Sequence, residues 1–396
     1  MLRIAVIGAG PAGFYTSQKL LKFITKIKLD IFEKLPVPYG LVRYGVSPDH
    51  PDVKNCTRIF DKILEDNRVR FFGNVEIGKS IPLTSLANNY NAILLSIGAS
   101  PNHLKFNNSN FLQSADCLIS WINGHPDYHH LKFSFENVKT VSIIGQGNVA
   151  IDVARLLSLP IEKLEKSSID TINIIGRRGP LDMACTTAEL RELTKIGSNV
   201  NVIIPEQYFS KLNSISINDL SRIKKRFFKL LSTLNCNKCT PKKFESFKNI
   251  FFHYYLSPYQ CNPNECNSNL LRSIHFINNE NNDRVEIETD LAFESVGYKY
   301  DVNIYSNVLD KYRISLEGQD YIKTAHNSLV PVFSSGWCKN GAQGVIAATM
   351  QCAYHEASNM ISHFQKTNYN SNLLDISHFI DNGKYILFID TGLLNS

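Results

Sequence analysis

Two glycine clusters, and the residues that end the strands after them, carry the chemistry open to this chain. The first is Gly8-Ala9-Gly10-Pro11-Ala12-Gly13, directly after the apolar run 4–7. At that spacing a strand turns into a helix beneath a pyrophosphate. Gly8 permits the tight turn, Gly10 lets phosphates approach the backbone, and Gly13 lets the helix press against the strand. The helix that follows directs its positive end at the anion. Glu33 stands twenty residues after Gly13 and closes the run 28–33, which reads as the next strand. A carboxylate there binds both ribose hydroxyls and repels a 2′-phosphate, so the first nucleotide is FAD or NAD.

The second cluster is Gly145-Gln146-Gly147-Asn148-Val149-Ala150, after the apolar run 140–144. It repeats the logic of strand, Gly-x-Gly-x-x-small and helix, and two such units are far more specific than one. The next strand, 171–175, ends differently, in Gly176-Arg177-Arg178-Gly179-Pro180. Guanidinium forks match a phosphate monoester where a carboxylate would repel it, so this second site prefers NADP to NAD. One dinucleotide in each of two domains, reactive rings meeting between them, suggests hydride passing from NADPH to a flavin. The protein then supplies orientation and electrostatics, and the hydride transfer itself needs no acid–base residue.

The elements that must position these residues read as an α/β fold of two Rossmann-like dinucleotide-binding domains. The FAD domain is discontinuous, residues 1–102 and 325–396, and the NADP domain, 103–324, is inserted into it. After Glu33, the segment 34–45 holds two prolines and two glycines and reads as a loop without regular structure, lying along the cofactor. Residues 53–67 read as an amphipathic helix, 69–75 as a strand that brings Ile77 to the cofactor edge, and 90–99 as a strand ending in a small-residue turn. An insertion is expected around 160–168, because Arg177 stands further from Ala150 than usual. Residues 185–193 read as a helix carrying Glu189, and 271–277 with 284–289 as a hairpin around an Asn-rich turn. Residues 291–298 read as a strand with another glycine turn. In the last informative stretch, Trp337 is placed to pack on the cofactor or in the core. A helix starting beside Gly344 and running to about 363 offers its amino terminus to negative charge on a bound ring.

Composition narrows the class. The chain has 396 residues, 43% hydrophobic, with a net charge of +6, enough for two real cores. That charge is too small to argue for nucleic acid. No apolar run approaches the roughly 20 residues of a membrane span. Nine scattered cysteines suit a reducing compartment. Cys236 with Cys239, and Cys261 with Cys266, lack a well-placed histidine and read as incidental rather than metal ligands. The first strand begins almost at Met1, so no presequence is expected within the chain. Residues 219–234 read as a helix bearing Arg222, Lys224, Lys225, Arg226 and Lys229, as suited to a solvated face as to docking.

The segments VIGAGPAGFYT, EKLPVPYGLVRYGVSPDHPDVKN, GNVEIG, IIGQGNVAIDVAR, IGRRGPLDMACTTAELRE, ESVGYK and SSGWCKNGAQGVIAATM together resemble the adrenodoxin reductase family. These are the mitochondrial-type NADPH:ferredoxin reductases and their bacterial relatives. The resemblance implies FAD bound through Ala12, Glu33, Leu41, Ile77, Trp337, Gly344, Val345 and Ile346. It implies NADP bound through Gln146, Gly147, Asn148, Val149, Arg177, Arg178, Glu189 and Gly344. His50 and Asp152 match polar residues near flavin and nicotinamide and are expected to steer water and protons. The implied partner is a small acidic [2Fe–2S] ferredoxin, met by the basic helix at Arg222, Lys224, Lys225 and Arg226, where electrostatic steering gives the physical reason. The implied setting is mitochondrial, in iron–sulfur cluster assembly or a related electron-transfer chain. The chain departs from the family over 235–270 and ends sooner than the family does.

Rival readings are weaker. A disulfide reductase needs a cysteine pair beside the flavin, and 34–50 has none. A glutamate-synthase-type flavoprotein subunit lacks Pro48-Asp49-His50-Pro51 and carries an iron–sulfur cysteine cluster. A nucleotide-bound nucleic-acid-binding protein using Arg222–Lys229 would need a stronger basic balance.

Overall fold

A computed structural model describes residues 1–160, 162–164, 167–197, 199–208, 216–236, 248–267, 269–299, 313–316, 319–324, 328–342, 344–366 and 386–388. The chain divides into two compact units, Met1–Ser100 with Tyr298–Ser396, and Pro101–Gly297. The return to the first unit therefore falls at Tyr298, ahead of the expected residue 325. The reason is hydrogen bonding: strand Gln319–Lys323 pairs antiparallel with Leu329–Ser334, and Arg313–Leu316 pairs antiparallel with Gln319–Lys323, so both extend the first unit's sheet.

That sheet has eight strands among the described residues. Its order is Arg313–Leu316, Gln319–Lys323, Leu329–Ser334, Ala92–Leu95, Leu2–Ile7, Ile27–Phe32, Val69–Gly73 and Ile386–Phe388. The five strands from Leu329–Ser334 to Val69–Gly73 run parallel. They are mostly apolar because both faces are covered, as parallel sheets require, and the buried exception, Asp30, is paired with Arg70 at 2.7 Å. Helix Pro11–Phe23 buries Phe14, Tyr15, Leu20 and Leu21 on one face, and Phe14 stacks on Phe60 with centroids 4.7 Å apart. Helix Ile346–Lys366 packs on the same side through Ala353, Ala357 and Met360.

The second unit holds a six-stranded sheet ordered Gln113–Ser114, Leu291–Glu294, Thr140–Ile144, Thr171–Ile175, Lys248–His253 and Val200–Ile203, every pairing parallel. A separate antiparallel meander of Leu256–Pro263, Leu271–Asn278 and Arg284–Glu288 follows the strand Lys248–His253. The hairpin expected over 271–289 is its second half. Strands Val200–Ile203 and Lys248–His253 carry no reading in the sequence, since each is a short apolar run beside asparagine.

Three elements differ from expectation. Residues 53–67 form a 3-10 turn, Pro51–Cys56, followed by an α-helix only at Thr57–Leu64. Segment 34–45 is not wholly irregular: Leu41–Tyr44 makes one helical turn between Gly40 and Gly45. The basic helix starts at Arg222 rather than 219, after a 3-10 turn at Ile217–Asp219. Cys239, the end of the chain and part of the insertion expected at 160–168 lie outside the described residues.

Both parallel sheets change winding direction at one point, and both place a glycine there. Gly8, at φ 99°, would put a Cβ 2.5 Å from the Ser96 carbonyl oxygen, and Gly145, at φ 136°, would put one 2.0 Å from that of Ser295. Gly147 has nothing within 4 Å of a would-be Cβ. Gly145→Ala is therefore expected to destabilise the protein by about 3 kcal/mol, from overpacking plus backbone strain. Gly147→Ala is expected to leave stability within about 0.5 kcal/mol of the parent. Urea unfolding of the two variants checks the contrast.

Candidate functional site

The two units build their glycine turns with the same hydrogen bonds. In the first, Gly8 N–H donates to the Phe32 carbonyl and Ser96 N–H to that of Ile7, both at 2.8 Å. In the second, Gly145 N–H donates to Ile175 and Ser295 N–H to Ile144, again both at 2.8 Å. Each turn thus lies in the crevice at the carboxyl ends of its strands, where open α/β sheets bind ligands.

In the first unit, Gly13 would place a Cβ 2.5 Å from the Gly8 carbonyl oxygen, so only glycine lets helix Pro11–Phe23 come this close. Gly10 faces open space, with nothing within 4 Å of a would-be Cβ. That combination, a sealed back and an open front at a helix amino terminus, fits a pyrophosphate. Glu33 is 7% exposed. Its Oε2 accepts from Ala9 N–H at 2.8 Å and its Oε1 from Leu35 N–H at 3.1 Å. Burial pushes its carboxyl above the ordinary range, and the backbone donors pull it back only in part. Each oxygen keeps a lone pair for a ribose hydroxyl.

The segment after Glu33 closes over the turn. Tyr39 N–H donates to the Ala9 carbonyl at 2.8 Å, and Gly40, at φ 50°, passes Gly10 so closely that a Cβ would sit 3.4 Å from its Cα. Tyr39 itself adopts φ 90°, rare for an aromatic residue, and its hydroxyl donates to Asp61. Leu41, next in line, leaves 39% of its surface exposed. From the end of the chain, Gly336 at φ 77° rests on Ala12, where a Cβ would come within 2.5 Å of the Ala12 Cβ. This brings half-buried Trp337 to the same helix. Gly344 at φ 75° precedes Val345, 51% exposed, and half-buried Ile346, which opens helix Ile346–Lys366. That helix is tied to the first by Lys19 Nζ, which donates to the Tyr354 carbonyl at 2.9 Å.

Ile77 follows the strand Val69–Gly73. Its side chain is 3% exposed and lies in the core with Val75, Ile81 and Leu83, so only its backbone can edge a ligand. His50 is half-buried at the start of the Pro51–Cys56 turn, its N–H donating to the Ser47 carbonyl at 3.0 Å.

In the second unit, Gly147 caps helix Asn148–Ser158 and faces open space. Gln146 lies across the strand ends: its Nε2 donates to the His253 carbonyl at 3.0 Å. Its own carbonyl accepts from Ala184 and Cys185 N–H at 3.0 and 2.9 Å. Asn148 Oδ1 accepts from Thr186 N–H at 2.8 Å, which anchors the start of helix Thr187–Leu193 beside the turn. Val149 packs half-buried against the core. Arg177 and Arg178 are both exposed, and among the described residues neither guanidinium has a hydrogen bond or ion pair. Two uncommitted cations at this strand end fit a phosphate monoester.

Arg155 is a buried cation that the sequence reading does not single out. It is 3% exposed and pairs with Asp152 at 2.7 Å and with Glu189 and Glu192 at 3.4 Å each. Asp152 and Glu189 are thus brought together on one buried cation. The i, i+3 placement of Asp152 and Arg155 was the available signal. On the basic helix Arg222, Lys224 and Arg226 are exposed and Lys225 is half-buried. Lys224 Nζ pairs with Asp182 at 2.7 Å, which partly spends its charge within the chain.

No family model matches the chain. Among curated proteins it is 32% identical over 395 residues to the NADPH:adrenodoxin oxidoreductase, mitochondrial, of Drosophila melanogaster, covering 95% of this chain and 82% of that one. It is 33% identical to the protein of the same name from Salvelinus fontinalis, covering 92% of this chain and 78% of that one. Among solved structures, Mycobacterium tuberculosis FprA in complex with NADPH aligns with a TM-score of 0.76 at 28% identity, covering 92% of this chain and 84% of that one.

Glu33 makes stability depend on pH in nucleotide-free protein. Its folded carboxyl sits above the unfolded value, so its contribution is fully present while both states are protonated and is lost as pH rises through the folded value. The stability of the parent minus that of Glu33→Gln is therefore expected to fall as pH rises above the ordinary carboxylate range. Denaturant titrations between acid and neutral pH measure this difference.

Proposed function

The chain belongs to the NADPH:adrenodoxin oxidoreductase family, and on that premise we propose that it takes hydride from NADPH on FAD and delivers electrons to an acidic [2Fe–2S] ferredoxin. One observation carries the assignment of the two nucleotides. Two turns of one hydrogen-bond plan are followed by opposite charges, the buried Glu33 carboxylate in one and the uncommitted Arg177 and Arg178 in the other. The first accepts ribose hydroxyls and rejects a 2′-phosphate, and the second attracts one.

Flavin, when bound, takes up a hydride as two electrons and releases them one at a time. Gly8, Gly10, Ala12 and Gly13 leave room for its pyrophosphate, and Glu33 holds the ribose. Leu41, the Ile77 backbone, Trp337, Gly344, Val345 and Ile346 bound the remainder. The amino end of helix Ile346–Lys366 favours negative charge near Gly344. Gln146, Gly147, Asn148 and Val149 receive the NADP pyrophosphate. Glu189 and Asp152 are paired with Arg155, and His50 and Asp152 steer water and protons. Arg222, Lys225 and Arg226 steer the acidic partner, with Lys224 contributing less because of Asp182. The word mitochondrial in the relatives' names supports a mitochondrial location.

Replacing both Arg177 and Arg178 by alanine is expected to cut the NADPH-over-NADH preference in kcat/KM by at least about a hundredfold, as charge-assisted contacts to phosphate are lost. Flavin content should not change. Unaltered discrimination in steady-state kinetics with both cofactors would refute the assignment. For the partner surface, Arg222→Glu with Arg226→Glu is expected to raise KM for ferredoxin several-fold at low ionic strength, with the difference shrinking as salt is added. NADPH-to-ferricyanide turnover, which bypasses the protein partner, should stay at the parent level.

A further inference from the structure

The turn that carries Arg177 and Arg178 is held from behind by the antiparallel meander. Three consecutive carbonyls point to partners on that side. Gly176 O accepts from Leu256 N–H at 2.9 Å and Arg178 O from Tyr255 N–H at 3.4 Å. Arg177 O accepts from the Asn279 side-chain amide at 2.9 Å. Asn279 lies just beyond strand Leu271–Asn278, and its own N–H donates to the Tyr255 carbonyl at 2.7 Å. Asn279 therefore joins the arginine turn to the corner between strands Lys248–His253 and Leu256–Pro263.

Two further features show that this corner is built for its neighbour. Tyr255 adopts φ 61°, a conformation with a real energetic cost for an aromatic residue, which persists only where surroundings enforce it. Its hydroxyl occupies the space of a side chain at Gly179: a Cβ there would lie 2.2 Å from it. The Gly179 position thus leaves the ring room to stand against the turn. Among the described residues, the backbone N–H groups of Arg177, Arg178 and Gly179 have no acceptor. With carbonyls committed on one side, the turn keeps both guanidinium groups and three amide donors uncommitted among the described residues.

We infer that Asn279, together with the strained Tyr255, is a positioning residue that sets the preference for the 2′-phosphorylated cofactor by holding the Arg177–Arg178 turn with its donors uncommitted. This rests on the NADP reading of the second unit. It also accounts for the meander, since a Rossmann-like sheet without it would leave the three carbonyls to water and the turn free to rotate its peptides.

Asn279 is exposed, so its replacement tests the idea without threatening the fold. In the FAD-loaded full chain, Asn279→Ala is expected to weaken 2′,5′-ADP binding by about fivefold, the net worth of one hydrogen bond. Binding of 5′-AMP should stay at the parent level, both read by calorimetry. In turnover the same factor should appear in KM for NADPH, with kcat at saturating NADPH and KM for NADH unchanged. Asn279→Gln, which keeps the amide donor, should restore most of the loss. Parent-like 2′,5′-ADP binding in Asn279→Ala would overturn the inference, as would an equal loss for 5′-AMP, which would mark a general structural role. The double arginine variant separates the two levels. If it loses discrimination while Asn279→Ala does not, the positioning role alone fails; if neither variant loses it, the NADP reading fails with it.

Discussion

The structure depends on a backbone-to-backbone approach that no side chain can share. At each change of winding direction, one strand ends in a glycine whose missing Cβ is the space taken by a carbonyl from the strand beyond: Ser96 against Gly8, and Ser295 against Gly145. The approach draws the strand ends together and leaves the following helix directed at the crevice. Because both glycines sit at positive φ, their conformation and their lack of a side chain serve one geometric end. The anion site in front of the turn is a consequence: once the back of the turn is sealed, the helix amides have only the crevice to face.

On this shared plan, charge makes the two halves unlike. Glu33 is buried and restrained by two backbone donors, a costly arrangement for a carboxylate that is relieved when further hydroxyls approach. Arg177 and Arg178 are exposed and, among the described residues, uncommitted, which costs little in water and leaves two charged donors suited to a phosphate. On the proposed reading the first half would discriminate by closing around a ribose, the second by staying open to an extra anion. Nearby, Arg155 offsets part of the acidic cluster around it: Asp152, Glu189 and Glu192 share one cation.

Legibility in the sequence followed locality. The glycine turns, Glu33, the arginine pair and strand Thr171–Ile175 were readable because each is a short pattern with one physical meaning. The helix at Leu41–Tyr44 was hidden by flanking glycines and prolines that signal irregularity. The inward face of Ile77 was hidden because a single apolar residue after a strand does not declare its side. Strands Val200–Ile203 and Lys248–His253 are too short to declare themselves, and what makes them strands is parallel pairing between residues far apart in the chain. The early return to the first unit at Tyr298 was unreadable for the same reason, since it rests on antiparallel pairing onto Leu329–Ser334. Arg155 was missed because its partners come from two helices and only one of them is local.

Strain is distributed by the same logic. Among the described residues each half has one aromatic residue at positive φ, beside its nucleotide turn: Tyr39 at 90° and Tyr255 at 61°. Such a backbone costs of order 1–3 kcal/mol and survives only when several contacts over-determine it. Tyr39 is held by its N–H on Ala9 and its hydroxyl on Asp61, and Tyr255 by its N–H on Arg178 and its carbonyl on Asn279. In both cases the contact that enforces the strain is also the one that touches the ligand-facing turn. Relaxing either tyrosine would release the Ala9 or Arg178 carbonyl, so the cost of the conformation and the rigidity of the site are one quantity seen from two sides.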